Sequence, residues 1–286
     1  MIDWPKTFTY WIENRTLYIS APFTWEIPKI KAWVRQRSIL WDQVAIGGPA
    51  VELTKHQGPF DAMPWVQVKT GTYYPGVLQL VNPLATKTTT GCIRACPWCA
   101  VPKAEGRLIE LEDWPDRPIL IDNNLLAASQ AHFDKVIDRL KVHGWADFNQ
   151  GLDARLLTDY HAKRIAEIKR PIVRLALDCM AHSESWATAY DSLRRAGIAK
   201  RSIRSMALLG FGTDPAEAWA RCNWIDSHGV RVTPCWYHPL DATAHNAITP
   251  DQAAMGWTDY ERRKIMQWFF KHKKAVKYRT KSPWLA

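Results

Sequence analysis

Residues 171–212 read PIVRLALDCMAHSESWATAYDSLRRAGIAKRSIRSMALLGFG. "PIVRLALD" is an apolar run of strand length. "SESWATAYDSLRRAG" opens on Ser, closes on Gly and has helical composition, and "SIRSMALLGFG" is a second strand. A strand, a helix and a strand in that order form two parallel strands joined by a crossover. The rhythm extends both ways. Upstream lie "ATKTTTG", "PILIDNN" with the helical "AHFDKVIDRLKVHG", and "DFNQG" with "LTDYHAKRIAEIKR"; downstream come "TDPAEAWARCNWIDSHG" and "VRVTPCWYHPL". Six units predict an α/β fold, a partial (βα)6 TIM-like barrel over residues 86–245, with chemistry at the C-terminal strand ends.

Around this core the sequence predicts smaller parts. "TLYIS", "PKIKAWVRQ" and "QVAIGGPAV" form one β-α-β unit, a short Rossmann-like extension over residues 1–60. Residues 61–85, rich in Pro and Gly, read as a linker. Residues 246–286 read as a C-terminal helix and a basic tail. The composition is globular, with 47% apolar residues. No signal-peptide pattern follows "MIDWPKTFTYW" and no apolar run approaches the ~20 residues that span a bilayer, so the expectation is a cytoplasmic protein with no membrane partner.

Three of the six cysteines crowd into "TTTGCIRACPWCAVPKAEG", where Cys92, Cys96 and Cys99 are spaced C-x3-C-x2-C. Thiols stay reduced in the cytoplasm, so such a cluster points to metal before disulfide. Three thiolates can hold three irons of a [4Fe-4S] cluster and leave the fourth open to a ligand with N and O donors. Zinc is the competing occupant, but a structural zinc site takes four protein ligands and no second C-x2-C pair follows. A disulfide would leave one thiol over. The loop falls at the end of the first predicted strand of the series, where the fold places chemistry.

These residues resemble the signature of radical S-adenosylmethionine (SAM) enzymes: Gly91, Cys92, Cys96 and Cys99, with the aromatic Trp98 just before the third cysteine. The following "AVPKAEG" is similar to the segment after the cluster loop in tRNA methylthiotransferases and in cobalamin-type radical SAM proteins, and the likeness covers about residues 77–240. It implies a [4Fe-4S] cluster, SAM chelated at the open iron, and reductive cleavage to a 5′-deoxyadenosyl radical that takes hydrogen from a substrate. It also implies an electron donor such as flavodoxin or ferredoxin. Residue by residue, Asp122 and Asn123 stand where the family has a Gly-rich turn for the methionyl amine. Gln150 and Arg155 follow the third strand, where an Arg can grip a carboxylate. Asp178 is placed like an acceptor for ribose hydroxyls, and Gly210 and Gly212 in "LLGFGTDPAE" resemble the motif flanking adenine, with Glu217 on the helix after it.

The other features refine the reaction. No cysteine lies in the first sixty residues, where methylthiotransferases hold a second cluster, and Cys179, Cys222 and Cys235 are spaced poorly for one. Cys179 and Cys235 fall at predicted strand ends facing a substrate. The D-x-H at Asp159-Tyr160-His161 lacks the Gly of a cobalamin motif. The net charge of +10 (38 basic against 28 acidic residues) and sixteen tryptophans suit a phosphate-bearing partner with bases to stack on. The C-terminal "DYERRKIMQWFFKHKKAVKYRTKSPWLA" carries nine Lys or Arg against two acids, interleaved with aromatics. The expected partner is therefore RNA, most of all tRNA, through this tail. A radical SAM enzyme acting on a small molecule or peptide is the alternative, and a non-catalytic iron–sulfur protein that binds nucleic acid is a third reading.

Overall fold

A computed structural model describes residues 4–71 and 76–272, a mixed α/β structure. The first sheet holds β1 (Thr9–Glu13), β2 (Thr16–Ser20), β3 (Gln43–Gly47) and β4 (Val66–Val68), with α1 (Ile27–Arg35) between β2 and β3 and α2 (Pro49–Thr54) after β3. Its order is β1-β2-β3-β4, with β1 and β2 an antiparallel hairpin and the other pairs parallel. The expected β-α-β unit is present as β2-α1-β3. Two strands escaped the sequence reading. The β1–β2 turn is Asn14-Arg15, both with positive φ (48° and 60°), so an arginine sits where a hairpin normally signals itself with Gly. β4 is three residues long and lies in the segment read as linker, which thus supplies an edge strand. Leu17, Ile19, Ile30, Val44, Ile46 and Val51 close a separate small core.

The second sheet follows α3 (Val77–Val81). It begins with β5 (Ala85–Thr86), and a strap of β6 (Thr89–Thr90), α4 (Val101–Ala104) and β7 (Ile109–Glu110) intervenes before β8 (Ile119–Leu120). Then strands and helices alternate: α5 (Gln130–Val142), β9 (Ala146–Phe148), α6 (Asp159–Ala166), β10 (Pro171–Ala176), α7 (Ser183–Arg195), β11 (Ile203–Leu209), α8 (Pro215–Ser227) and β12 (Arg231–Trp236). α9 (Pro250–Ala254), α10 (Asp259–Gln267) and a π-helical turn (Trp268–His272) complete the described chain. The six strands are all parallel in the order β12-β11-β10-β9-β8-β5, which is chain order, and among the described residues the sheet does not close on itself. "ATKTTTG" therefore splits, giving β5 to the sheet and β6 to the strap.

Capping follows the composition. Ser129, Thr158, Asp214, Thr249 and Thr258 each accept a backbone N–H at a helix start. α7 departs from this, since its cap position is His182, which makes no side-chain cap bond.

The faces of the sheet differ. Val173, Leu175 and Leu177 of the β10 segment, Ile203, Ala207 and Leu209 of β11, and Val232 and Trp236 of β12 are buried in one core with Phe133, Ile165, Trp186, Leu193 and Ile225 of the helices. The alternate residues (174, 176 and 178; 204, 206 and 208; 231, 233 and 235) are half-buried on the opposite, open face. Much of the tryptophan content is packing: Trp186 and Trp257 are fully buried, the former donating Nε1–H to Ser205 Oγ at 3.0 Å and the latter to the Thr213 carbonyl at 2.6 Å. The basic tail expected as the RNA contact lies outside the described residues beyond 272. Among the described residues no helix is long and apolar enough to cross a membrane.

Candidate active site

The cysteine loop occupies the strap between β6 and β7, whose antiparallel pairing (Thr89 with Glu110, Thr90 with Ile109) closes its base. Gly91 turns the chain into the loop with φ +70°. A Cβ there would stand 1.9 Å from the Arg107 carbonyl oxygen, so the close approach of the two loop arms requires glycine. Cys92 N–H donates to the Gly106 carbonyl at 3.1 Å and Cys99 N–H to that of Cys96 at 3.0 Å.

Two polar knots fix the loop. Glu105 accepts from buried Lys87 at 2.6 Å, from Gly91 N–H at 2.9 Å and from Asn123 Nδ2 at 2.8 Å, and Asn123 also reaches the Gly91 carbonyl at 3.3 Å. Asp153 gathers Arg94 Nε at 3.0 Å, Asn124 Nδ2 at 3.3 Å and Arg155 Nε at 2.7 Å. Burial would push the Asp153 carboxyl up, but its hydrogen bonds to Arg155 and Arg94 win and hold it below the usual carboxylate range. Strand ends β8 and β9 and the cysteine loop are thereby tied at one carboxylate.

All three loop cysteines are half-buried, and polar hydrogens surround their sulfurs. Arg94 N–H lies 3.3 Å from Cys92 Sγ, Asn124 Nδ2 3.7 Å from the same atom, and Val101 N–H 3.5 Å from Cys99 Sγ. The Arg155 charge also acts on Cys96. Burial pushes the Cys96 and Cys99 thiols up, only partly offset by Arg155 and by Val101 N–H respectively. Donors aimed at sulfur suit thiolate ligands of an iron–sulfur cluster, whose bound iron supplies the charge that keeps buried thiols ionised. Among the described residues no group of three His, Cys, Asp or Glu side chains is drawn together as a site for a metal ion.

The remaining sequence candidates divide. Asp178 stands at the end of β10 and senses Cys96 and Cys99; burial pushes its carboxyl up against the opposing pull of Arg221, Arg155 and His182. Trp98 meets Phe211 edge-on with centroids 5.4 Å apart, and Phe211 meets Tyr237 at 4.9 Å, so an aromatic chain joins the loop to strand ends β11 and β12. Gly212 has open space above it. Gln150 is exposed. Two candidates are occupied structurally. Asp122 is buried, and its Oδ1 accepts from Thr88 N–H at 2.7 Å and Thr89 Oγ at 2.9 Å, which anchors the chain entering the loop. Its Oδ2 has no partner, and burial pushes this carboxyl up. Gly210 is packed under Trp236, whose ring a Cβ would meet at 2.6 Å. Glu217 lies 3.8 Å from Arg221 on the helix.

Residues not singled out from the sequence carry much of this arrangement: Lys87, Arg94, Glu105, Asp153, His182 and Arg221. Arg221 is fully buried in α8 and donates to the carbonyls of Asp178 and, at 2.6 Å, Leu208, clasping the ends of β10 and β11. Cys179 Sγ lies 3.0 Å from His182 Nδ1, and His182 Nε2 lies 3.3 Å from Arg155. The other two cysteines stand apart from it. Cys222 is buried in the helix layer, its thiol pushed up to about 12 by burial, and Cys235 is on the open face, pushed up to about 11.

A cleft of about 390 Å³ opens beside the loop, lined by Leu53, His56, Pro97, Lys103, Tyr237 and Leu240. Its walls come from the first sheet's α2 region on one side and from the loop and the end of β12 on the other. In comparisons with known proteins, no family model matches this chain and no curated protein matches it.

Proposed function

We infer that the chain is a radical SAM enzyme built on a partial (βα)6 barrel, and that it modifies RNA, with tRNA as the favoured substrate. The observation that carries the reading is the half-buried cysteine triad with polar hydrogens at its sulfurs, standing at the C-terminal ends of parallel strands laid down in chain order. Cys92, Cys96 and Cys99 would hold a [4Fe-4S] cluster, which with SAM supplies one-electron cleavage of a carbon–sulfur bond. The protein's own groups would do the rest. Asp153 sets Arg94 and Arg155 beside the thiols, and Asn123 and Glu105 keep the loop in register. Asp178 offers a carboxylate at the rim for a ligand's hydroxyls. Trp98, Phe211 and Tyr237 wall the rim with apolar surface that excludes water. Flavodoxin or ferredoxin would be the electron donor, and the compartment would be the cytoplasm.

Support for RNA is the net charge of +10 and the exposed aromatic and basic groups of α10 and the turn after it, where Tyr260, Arg263, Lys264 and Trp268 line one surface hollow. The test is anaerobic reconstitution followed by SAM turnover under dithionite. The expected result is about four irons per chain and SAM cleavage, both abolished by Cys96→Ala. Zinc bound tightly with no iron would overturn the reading. Nucleoside mass spectrometry of tRNA, with and without the expressed protein, then tests the substrate: an unchanged nucleoside profile would move the reading to a small molecule or peptide.

A further inference from the structure

The cleft beside the cysteine loop holds two opposite charges that do not neutralise each other. Lys103 of α4 and Asp241, which follows β12, both line it, together with His56 from the turn after α2. Among the described residues neither Lys103 nor Asp241 has an ion pair or a side-chain hydrogen bond. Around the loop itself pairing is the rule: Lys87 meets Glu105, and Arg94 and Arg155 meet Asp153. A cation and an anion left without partners in one cleft are complementary to a ligand that carries both a negative group and N–H donors.

The wall between these charges is aromatic and held in place. Tyr237 donates its backbone N–H to the Leu209 carbonyl at 2.8 Å, and its ring stands edge-on to Phe211 with centroids 4.9 Å apart. Burial, then the Asp241 charge, pushes the Tyr237 hydroxyl up, so it stays protonated beside that carboxylate. Pro97 and Leu240 add apolar lining. The volume of about 390 Å³ lies near the lower end of the ~300–1,000 Å³ usual for small-ligand sites, which suits one nucleotide and not a longer segment. A phosphate calls for cations, a base for an aromatic surface, and the edge of a base for a hydrogen-bonding partner, and this lining supplies all three.

We propose that this cleft binds a single nucleotide, with its phosphate at Lys103 and His56, its base against Tyr237 and the N–H donors of the base edge at Asp241. Guanine fits that edge best. Its N1–H and its exocyclic amine lie side by side and match both oxygens of a carboxylate, whereas uracil offers one N–H between two carbonyls that the carboxylate repels. The ligand chemistry is read from the cleft's own lining. That the bound nucleotide is the group acted on rests on the reading of the cysteine loop as the catalytic centre. Pro97, the residue after Cys96, gives cleft and loop a common wall. The source is a free nucleotide or an RNA residue turned out of its stack.

The test uses the full chain and GMP, titrated calorimetrically at fixed ionic strength. Saturable binding is expected, roughly tenfold tighter than that of UMP. Lys103→Gln should weaken GMP binding about tenfold. Lys163→Gln, which removes the same charge from the exposed side of α6, should leave it unchanged. Asp241→Asn should erase the preference for GMP over UMP. A readout on the unaltered protein covers the case of a variant that does not fold: GMP should shield Lys103, but not Lys163, from acetylation, as read by peptide mass spectrometry. Absence of saturable binding, equal affinity for GMP and UMP, or shielding that does not distinguish the two lysines would overturn the proposal. Competition separates the sources. Displacement of GMP by a single-stranded RNA decamer with one guanosine assigns the cleft to an RNA residue, and failure of that decamer to displace it assigns the cleft to a free nucleotide. Iron content and SAM cleavage are measured on the same unaltered protein. Iron and cleavage without GMP binding sink the cleft and leave the catalytic reading in place, whereas GMP binding without iron or cleavage does the reverse.

Discussion

Two strands, β3 of the first sheet and β6 of the strap, end in a glycine-bearing turn, and the two turns have opposite consequences. In the first sheet β3 runs into Gly47-Gly48, and a Cβ on Gly48 would meet the backbone of Ala21 at 2.7 Å. The turn is closed against its own neighbouring strand, and the space a ligand would need is filled by protein. At the end of β6 Gly91 is equally cramped, a Cβ there standing 1.9 Å from the Arg107 carbonyl, but what it tightens is a loop that carries three half-buried thiols. The same residue type under the same steric demand makes a seam in one place and a site in the other. A glycine at a strand end is a statement about backbone crowding, and the side chains around it decide whether chemistry follows.

That contrast can be broken most forcefully at the glycines themselves. Gly91→Ala should cost more than about 4 kcal/mol locally and abolish iron retention after reconstitution. Gly48→Ala should lower the melting temperature comparably and leave iron per folded chain unchanged. Equal iron loss in both would mean the two turns are not independent.

Arg221→Met should cost roughly 3 kcal/mol in urea unfolding, because the strand-end carbonyls of Asp178 and Leu208 lose a buried charged donor. An unaltered unfolding midpoint would show that the clasp is dispensable. Asp153→Asn should cost about 2 kcal/mol, since three groups share that carboxylate. It should also speed iron loss to a chelator several-fold while leaving the first sheet's amide exchange untouched.

The smallest effect concerns the join between the two regions. Trp25 lies against His238 and His245, with ring centroids 4.6 and 5.0 Å away, and Thr24 Oγ donates to the Ala242 carbonyl at 2.7 Å. Burial, then repulsion from His245, pushes the His238 imidazole below its ordinary 6.5. The unfolded chain therefore binds the proton more readily, and this stability is complete above about pH 6.5 and falls as pH drops below it. Melting should lose a few degrees between pH 7.5 and 5.5, and His238→Phe should remove most of that slope.

The sequence made the parallel sheet legible because each of its later units is long enough to declare a period: PIVRLALD, SIRSMALL and the helices between them carry alternation and caps over many residues. It concealed β1 and β4, one behind an Asn-Arg turn without glycine and the other in three residues. Of the site, the cysteine spacing is legible because ligand geometry is local in the chain. The knots at Glu105 and Asp153 are not, since each joins residues far apart, such as Lys87 with Glu105 or Arg94 with Asp153, and single charged residues have no period to reveal them. The register that sets Arg174 beside Arg204 and Arg204 beside Arg231 was equally hidden.

The order β12-β11-β10-β9-β8-β5 also has a consequence for synthesis on the ribosome. Every later strand of this sheet docks beside the sheet strand made before it, so the sheet can grow at one edge as the chain emerges. The exception is the join at Trp25. Its partners His238 and His245 are translated more than two hundred residues later, so the first sheet is finished early and stands undocked until the last strand has passed out of the ribosome. The cleft beside the cysteine loop, with one wall from each region, is then the last part of the molecule to be assembled.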